Sequence, residues 1–204
     1  MSFQLSTPRL ILASASSARQ SLLTRAGIAF EVQVSGVDEA EIKHSVRAEG
    51  MSADDTALLL AEMKTRRIAR SNPDALIIGC DQMLVCDGRW FDKPVDLAEA
   101  RSHLLALQGH THTLVTAVIC QIGEQRIWHH IAHPKLTMRR MSDAFLDAYL
   151  KAEGMVLTHT VGAYRLEALG AHLFDRIEGE HSAILGLPML PLLGFLRQHG
   201  VLIG

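Results

Sequence analysis

The chain has 204 residues, with 20 Lys or Arg, 22 Asp or Glu and a formal net charge of −2. This balance argues against nucleic-acid binding through bulk charge. The first residues lack a signal-peptide pattern, and no apolar run is long enough to span a bilayer. The three cysteines fall in predicted strands, which favours free buried thiols in a reducing compartment. We therefore expect a cytoplasmic protein with no membrane partner.

The first predicted strand, Leu10–Ala13, leads through a hydroxyl-rich loop into a helix. Unpaired N–H groups and the helix dipole make such a junction suitable for phosphate. Ser14 and Ser16 can add hydroxyl donors, and Arg19 can add a planar charged fork. The alternative is ordinary helix capping, with Arg19 in solvent.

An acidic turn is predicted over residues 36–41, GVDEAE. Asp38 and Glu39 offer the hard oxygen ligands that a divalent metal prefers. Carboxylates in turns are also commonly just solvated, so both interpretations stay open at this point.

The next helix is predicted from Ser52 to about Ser71, and it carries Lys64 on the shoulder of an apolar stripe. A lysine in this position usually extends its ammonium group to water. If the stripe packs beside the strand that follows, the ammonium group can instead reach into a site.

The stretch from 76 to 94, LIIGCDQMLVCDGRWFDKP, contains the strongest signals for chemistry. An apolar run predicts a strand buried on both faces, with Asp81 directly at its end, where ligands of α/β sheets bind. A second strand should turn at Asp87-Gly88, a hairpin signal, and bring Lys93 back towards Asp81. One acid and one base there suggest a site for a metal and an anionic substrate. The alternative is a surface salt bridge beside a turn.

The remaining chain alternates between predicted helices and strands. Glu167 lies in a less regular segment, among small and apolar residues. The other predicted elements are a helix at 96–109, strands at 113–122 and 126–138, a helix at 142–152, a strand at 173–177 and a final helix after Pro188.

Six segments in this order resemble the Maf family of nucleotide pyrophosphatases: LILASASSARQSLL, AEMKTRRIA, IIGCDQMLVCDGRWFDKP, LQGHTHTLVTAV, VGAYRLEALGAHLFDRIEGE and ILGLPM. The resemblance covers nearly the whole chain. It implies a single Maf-like domain over residues 1–204. Its expected fold is α/β, with a mixed twisted sheet flanked by helices and two lobes around a deep cleft, as in the inosine-triphosphate pyrophosphatases. It also implies a homodimer that hydrolyses nucleoside triphosphates to monophosphate and pyrophosphate with Mg²⁺, Mn²⁺ or Co²⁺.

The resemblance assigns roles residue by residue. The serines and the arginine between the first strand and helix match Ser14, Ser16 and Arg19. The lysine of the second predicted helix matches Lys64, the acid of the G-x-D motif matches Asp81, and the lysine of the K-P motif matches Lys93. Many members have a bulky residue where this chain has Ala18. The smaller side chain is expected either to open the base pocket or to weaken phosphate contacts.

Two positions point to the preferred base. Family members that prefer thymidine or uridine nucleotides typically have threonine after the catalytic acid and glutamine at the later position. Gln82 and Glu167 stand there in this chain, which is similar to members that act on 7-methyl-GTP. A carboxylate can accept hydrogen bonds from guanine N–H groups and oppose the charge of the methylated ring.

The resulting hypothesis makes Asp81 the general base for water attack at the α-phosphorus, with the metal held by Asp81 and Glu39. Arg19, Lys64 and Lys93 would offset charge as pyrophosphate leaves. Two alternatives remain: a broad or pyrimidine-directed pyrophosphatase, and a nucleotide-binding regulator of cell division without catalysis.

Overall fold

The structure of the protein, a computed structural model, describes residues 3–204. This part of the chain contains eight strands and seven α-helices. The strands are β1 (Leu10–Leu12), β2 (Glu31–Val32), β3 (Leu76–Cys86), β4 (Arg89–Phe91), β5 (Thr111–Ile122), β6 (Gln125–Ala132), β7 (Lys135–Met138) and β8 (Phe174–Glu178). The helices are α1 (Ser17–Arg25), α2 (Glu39–Ala48), α3 (Ala53–Ala69), α4 (Leu97–Leu107), α5 (Asp143–Glu153), α6 (His181–Ile184) and α7 (Met189–Gln198).

The strands form a mixed sheet with the order β2-β1-β3-β5-β7-β8, in which β4 pairs with β3 and β6 pairs with β5. The pairs β1–β2 and β1–β3 are parallel, whereas β3–β4, β5–β6, β5–β7 and β7–β8 are antiparallel. The predicted α/β class with a mixed sheet is therefore confirmed. Two lobes around a cleft stay a prediction.

The chain divides into two compact units. The first contains the residues up to Asp81, together with Thr116–Ala132 and Gly186–Gly204. The second contains Gln82–Val115 and His133–Leu185.

In the first unit, strand residues alternate between two apolar clusters, as the pleat of a β-strand requires. Leu10, Leu12, Leu76 and Ile78 pack in one cluster with residues of α1 and α7. Ile11 and Ile77 pack in the other, with residues of α3 such as Ile68. Helices therefore cover both faces of the parallel strands, which explains the unbroken apolar runs in the sequence.

The second unit has its own core, built from β3, β4, β5 and β7 against α4 and α5. Its fully buried members include Leu84, Leu104, Leu136, Leu146 and Leu173. The Asp87-Gly88 hairpin forms as predicted: Cys86 pairs with Arg89 across a two-residue loop in which both φ angles are positive, 48° and 75°. This is the loop geometry that matches the strand twist.

Three predicted boundaries were wrong. β3 runs without interruption through Asp81, because Gly79 keeps an extended rather than a left-handed backbone, so Asp81 lies inside the strand and not at its end. The predicted acidic turn is the start of α2, with Asp38 as its N-cap accepting from the Glu41 N–H at 3.2 Å. The strand predicted over 126–138 is two strands, β6 and β7, since Pro134 between them has no N–H for a ladder.

The cysteines agree with expectation. Cys80, Cys86 and Cys120 are free and buried, which confirms the prediction for the thiols. No helix within residues 3–204 combines the length and apolarity needed to cross a membrane.

Candidate active site

Strand parity and one glycine bring α3 against β3. Asp81 lies on the same side of β3 as Ile77 and Gly79, the side that α3 covers. A Cβ on Gly79 would lie 2.3 Å from Thr65 Cγ2 and 2.6 Å from the Ala61 carbonyl oxygen. Only a residue without a side chain permits this approach. The helix thus carries its polar side chains up to the strand.

Lys64 of α3 contacts two acids at once. Its Nζ lies 2.7 Å from Asp81 Oδ1 and 2.6 Å from Glu39 Oε1, and it also donates to the Cys80 carbonyl oxygen at 3.4 Å. The Lys64 and Asp81 side chains are only 9% and 4% exposed. A buried ion pair with several hydrogen bonds is costly to assemble, so its presence marks this place as more than a solvated surface contact. This burial excludes the alternative in which Lys64 extends into water, and Asp81 is too buried for the alternative of a surface salt bridge.

The second carboxylate oxygen of Asp81 is the unusual atom of this cluster. Asp81 Oδ2 is buried and, among residues 3–204, has no hydrogen-bond partner. Buried oxygens of this kind nearly always have a partner, which can be a water or an ion. Because Lys64 holds Oδ1, Oδ2 is the Asp81 oxygen that is still able to accept a proton or a ligand.

The junction between β1 and α1 forms a network around Arg19. Arg19 Nη1 donates to Ser14 Oγ at 3.0 Å and to the Cys80 carbonyl oxygen at 3.1 Å, while Nε donates to the Gly186 carbonyl oxygen at 2.8 Å. Ser16 is the N-cap and accepts from the Arg19 N–H. Ser14, Ser16 and Arg19 are thus brought together as predicted. The guanidinium is held by three uncharged acceptors and is not simply solvated.

Gly186 makes room for Arg19. Its φ is 95°, and a Cβ there would lie 2.9 Å from Arg19 Nε. A side chain at this position would be strained in its backbone and would also displace the guanidinium.

The thiol of Cys80 takes no ionised part in this site. Burial raises the pKa of Cys80, and the nearby Asp81 charge adds to the rise, although Arg19 and Lys64 act in the opposite direction. Cys80 contributes its carbonyl oxygen, which both Arg19 and Lys64 contact.

Comparisons with known proteins identify the family. The family model described as Maf-like protein matches residues 9–199. The chain belongs to the Maf family. A nucleoside triphosphate pyrophosphatase of Granulibacter bethesdensis is 56% identical over 194 residues, which cover 95% of this chain and 98% of that protein. One of Rhodospirillum rubrum is 53% identical, covering 96% and 97%. A 7-methyl-GTP pyrophosphatase of Rhizobium meliloti is 44% identical, covering 96% and 98%.

Three of the site residues predicted from the Maf resemblance lie in the second unit. Lys93 follows the end of β4 and is exposed, and Glu167 is exposed in an irregular segment. Gln82 donates from Nε2 to the carbonyl oxygens of Ala183 and Ile184, at 3.0 and 3.1 Å. These two bonds give Gln82 a structural role at α6. Any part that these three residues take in substrate binding stays a prediction.

One anchoring residue was missed from the sequence. Glu153 Oε2 accepts from Arg165 Nε and Nη2 at 2.9 and 2.7 Å, and Glu153 Oε1 accepts from the Leu169 N–H at 3.1 Å. The Glu153 side chain is 2% exposed. It therefore fixes both ends of the segment that carries Glu167. The signal available in the sequence was a glutamate at the end of a predicted helix, followed by an irregular segment that contains an arginine.

A cavity of this Maf protein lies elsewhere. Its volume is about 710 Å³, and it is lined by residues at the starts of β1 and β3, including Arg9, Asn72 and Leu76. None of the predicted site residues lines it. The cluster around Asp81 is the stronger candidate, because it contains the buried charges and the unpaired carboxylate oxygen.

Proposed function

We propose that this chain hydrolyses a nucleoside triphosphate to the monophosphate and pyrophosphate. The observation that carries the proposal is the buried Lys64–Asp81 pair, in which Oδ1 is held at 2.7 Å and Oδ2 is left without a partner in the described chain. The relatives from Granulibacter and Rhodospirillum, both named nucleoside triphosphate pyrophosphatases, support the same activity.

Asp81 is the general base. Its Oδ2 takes the proton of a water whose oxygen forms a new bond to the α-phosphorus, while the bond from that phosphorus to the bridging oxygen breaks and pyrophosphate leaves. Lys64 orients the carboxylate through Oδ1. A positioned base contributes roughly 10²–10⁴-fold to such a step.

Phosphate is bound at the start of α1. Ser14 Oγ accepts from the Ser16 N–H at 3.3 Å and from Arg19 Nη1 at 3.0 Å. A hydroxyl has two acceptor positions and one proton, so this geometry directs the Ser14 O–H outwards as a donor. The N–H groups of the first helical turn and the Arg19 charge supply the remaining attraction for phosphate oxygens. In this proposal Lys93 adds a further cation.

The residues fit a hard divalent cation such as Mg²⁺ or Mn²⁺. Carboxylate oxygens are the ligands that these ions prefer. Asp81 Oδ2 has an open acceptor position, and Glu39 brings a second carboxylate to the same lysine at 2.6 Å. Asp81 and Glu39 would hold the ion. When bound, it supplies charge neutralisation on phosphate oxygens.

The preferred base is proposed to be of the guanine type, in particular 7-methyl-guanine. Gln82 and Glu167 support this preference through the motif resemblance, and so does the name of the Rhizobium relative. Because both Nε2 bonds of Gln82 go to backbone carbonyls, we assign the main recognition role to the exposed carboxylate of Glu167.

Pyrophosphate release from a panel of canonical and methylated nucleoside triphosphates, with Mg²⁺, Mn²⁺ or Co²⁺, tests the proposal. We expect release that depends on the metal and is highest with 7-methyl-GTP. Broad or pyrimidine-directed release would keep the reaction and overturn the base preference. Tight nucleotide binding without release from any substrate would overturn the reaction and favour the regulator.

A further inference from the structure

A second group of ligand-type side chains lies in the other unit, where the hairpin turn meets the connection between α4 and β5. Cys86 ends β3, Asp87 is the first residue of the turn, and His110 precedes β5. Asp87 Oδ2 lies 3.0 Å from His110 Nδ1 and 3.8 Å from Cys86 Sγ. The three ligand atoms all lie within 4.8 Å of one another.

These distances are close to those inside a metal coordination shell. In a tetrahedral zinc site, bonds of about 2.0 Å to nitrogen and oxygen and about 2.3 Å to sulfur place neighbouring ligand atoms roughly 3.3–3.6 Å apart. The pairs seen here need only small side-chain rotations to reach that spacing. The Asp87 and His110 side chains are 73% and 54% exposed, so they can rotate, and a fourth ligand position is open to water.

The backbone holds the three ligands in place. The turn is fixed by the Cys86–Arg89 pair and by the left-handed Asp87 and Gly88. His110 is held from both sides, because its N–H donates to the Leu107 carbonyl oxygen at 3.1 Å and its carbonyl oxygen accepts from the Met138 N–H at 3.0 Å. Little chain ordering is therefore needed on binding.

We propose that Cys86, Asp87 and His110 form a binding site for a thiophilic divalent cation of the zinc type. The ligand set decides the class of ion, since thiolate and imidazole favour Zn²⁺ and its neighbours in the first transition row, whereas Mg²⁺ requires oxygen ligands. The bound ion links the β3–β4 turn to the start of β5. It acts as a stabilising link and is independent of the proposed hydrolysis.

Co²⁺ titration of the untagged full chain tests this site, because thiolate-bound Co²⁺ has a charge-transfer band in the near ultraviolet that an oxygen-ligated ion lacks. We expect one equivalent of Co²⁺ to produce the band, Zn²⁺ to abolish it and Mg²⁺ to leave it unchanged. At a free Co²⁺ concentration of about 100 times Kd, the melting temperature should rise by roughly 5–10 °C.

Substitutions of the three proposed ligands test whether these residues produce the charge-transfer band. Cys86→Ser should remove it, and His110→Ala and Asp87→Asn, at exposed positions that leave the core intact, should weaken Co²⁺ binding by at least about 100-fold, since even outer partners of metal ligands are worth 10–100-fold. His129→Ala changes an exposed strand histidine outside the group and should bind Co²⁺ like the unchanged chain. Absence of the band in the unchanged chain, or its survival in His110→Ala, would overturn the proposal.

Discussion

Lys64 Nζ lies 2.7 Å from Asp81 Oδ1, and the two residues come from the middle of α3 and the middle of β3. The contact forms only because α3 packs unusually close to the strand at Gly79. The same lysine reaches Glu39 on α2 at 2.6 Å. One ammonium group therefore joins α2, α3 and β3 of the first unit through two carboxylates.

Gly79→Ala should separate α3 from β3. The added Cβ would meet Thr65 Cγ2 at 2.3 Å and the Ala61 carbonyl oxygen at 2.6 Å, and overpacking of this kind costs about 1–3 kcal/mol. We expect the free energy of unfolding to fall by that amount in denaturant titrations, with a lower kcat.

Gly194→Ala is the matched control, because its Cβ would meet nothing within 4 Å and helix interiors favour alanine. It should keep or slightly raise stability. Equal stabilities for the two variants would contradict the close approach.

Glu153→Gln should loosen the segment that carries Glu167. The substitution removes the charge that faces Arg165 at 2.7 Å and leaves that partly buried guanidinium without its carboxylate. We expect a loss of about 2–3 kcal/mol of unfolding free energy. Thermal and denaturant unfolding measure it, with the exposed Glu124→Gln as control. A loss no larger than that of the control would show that the buried pair contributes little.

His112 should make stability fall in mild acid. Burial lowers the pKa of His112 to about 4 from an ordinary value of 6.5, and Nε2 shares a 2.8 Å hydrogen bond with Tyr164 Oη. Between these pKa values the unfolded chain binds a proton at His112 that the folded chain does not bind. The contribution of neutral His112 to the free energy of unfolding is therefore complete above pH 6.5 and is lost as the pH falls from 6.5 to about 4. The difference of about 2.5 pKa units corresponds to about 3 kcal/mol.

Unfolding free energies across this pH range, compared between the unchanged chain and His112→Asn, isolate this contribution from those of other groups. The variant should be less stable at neutral pH and should lose less on acidification. Parallel pH profiles for the two proteins would contradict the assignment to His112.

Glu167→Gln should change base preference. If the carboxylate accepts hydrogen bonds from a guanine-type base, its replacement should lower kcat/KM for 7-methyl-GTP relative to UTP by roughly 10–100-fold. Steady-state kinetics with both substrates measure the ratio, and Glu49→Gln, at an exposed position outside the candidate site, should not alter it. An unchanged ratio in Glu167→Gln would contradict the proposed base preference and would leave the proposed hydrolysis unaffected.

Local signals were sufficient for much of the fold. The Asp87-Gly88 turn and the N-caps Ser52 and Asp96 follow from side chains that act within a few residues. α2 carried the same kind of signal, since Asp38 caps it and Glu41 follows three residues later. It was missed because its acidic first turn was interpreted as a possible metal ligand set.

The rest depends on contacts between distant parts of the chain. Lys64 and Asp81 were both identified from the sequence, but their pairing requires the pleat of β3 and the missing side chain of Gly79. Gln82 bonds to carbonyls about 100 residues away. Such partners have no local pattern, so the sequence indicates candidate residues but not which atoms each of them contacts.

Asp81→Asn tests the central claim most directly, since it keeps the shape of the side chain and an acceptor for Lys64 while removing the base. Pyrophosphate release and nucleotide binding should be measured on the same preparation, with the exposed Asp74→Asn as control. We predict a fall in kcat of roughly 10²–10⁴-fold with nucleotide affinity nearly unchanged. Turnover close to that of the control would contradict the role of Asp81 as the general base.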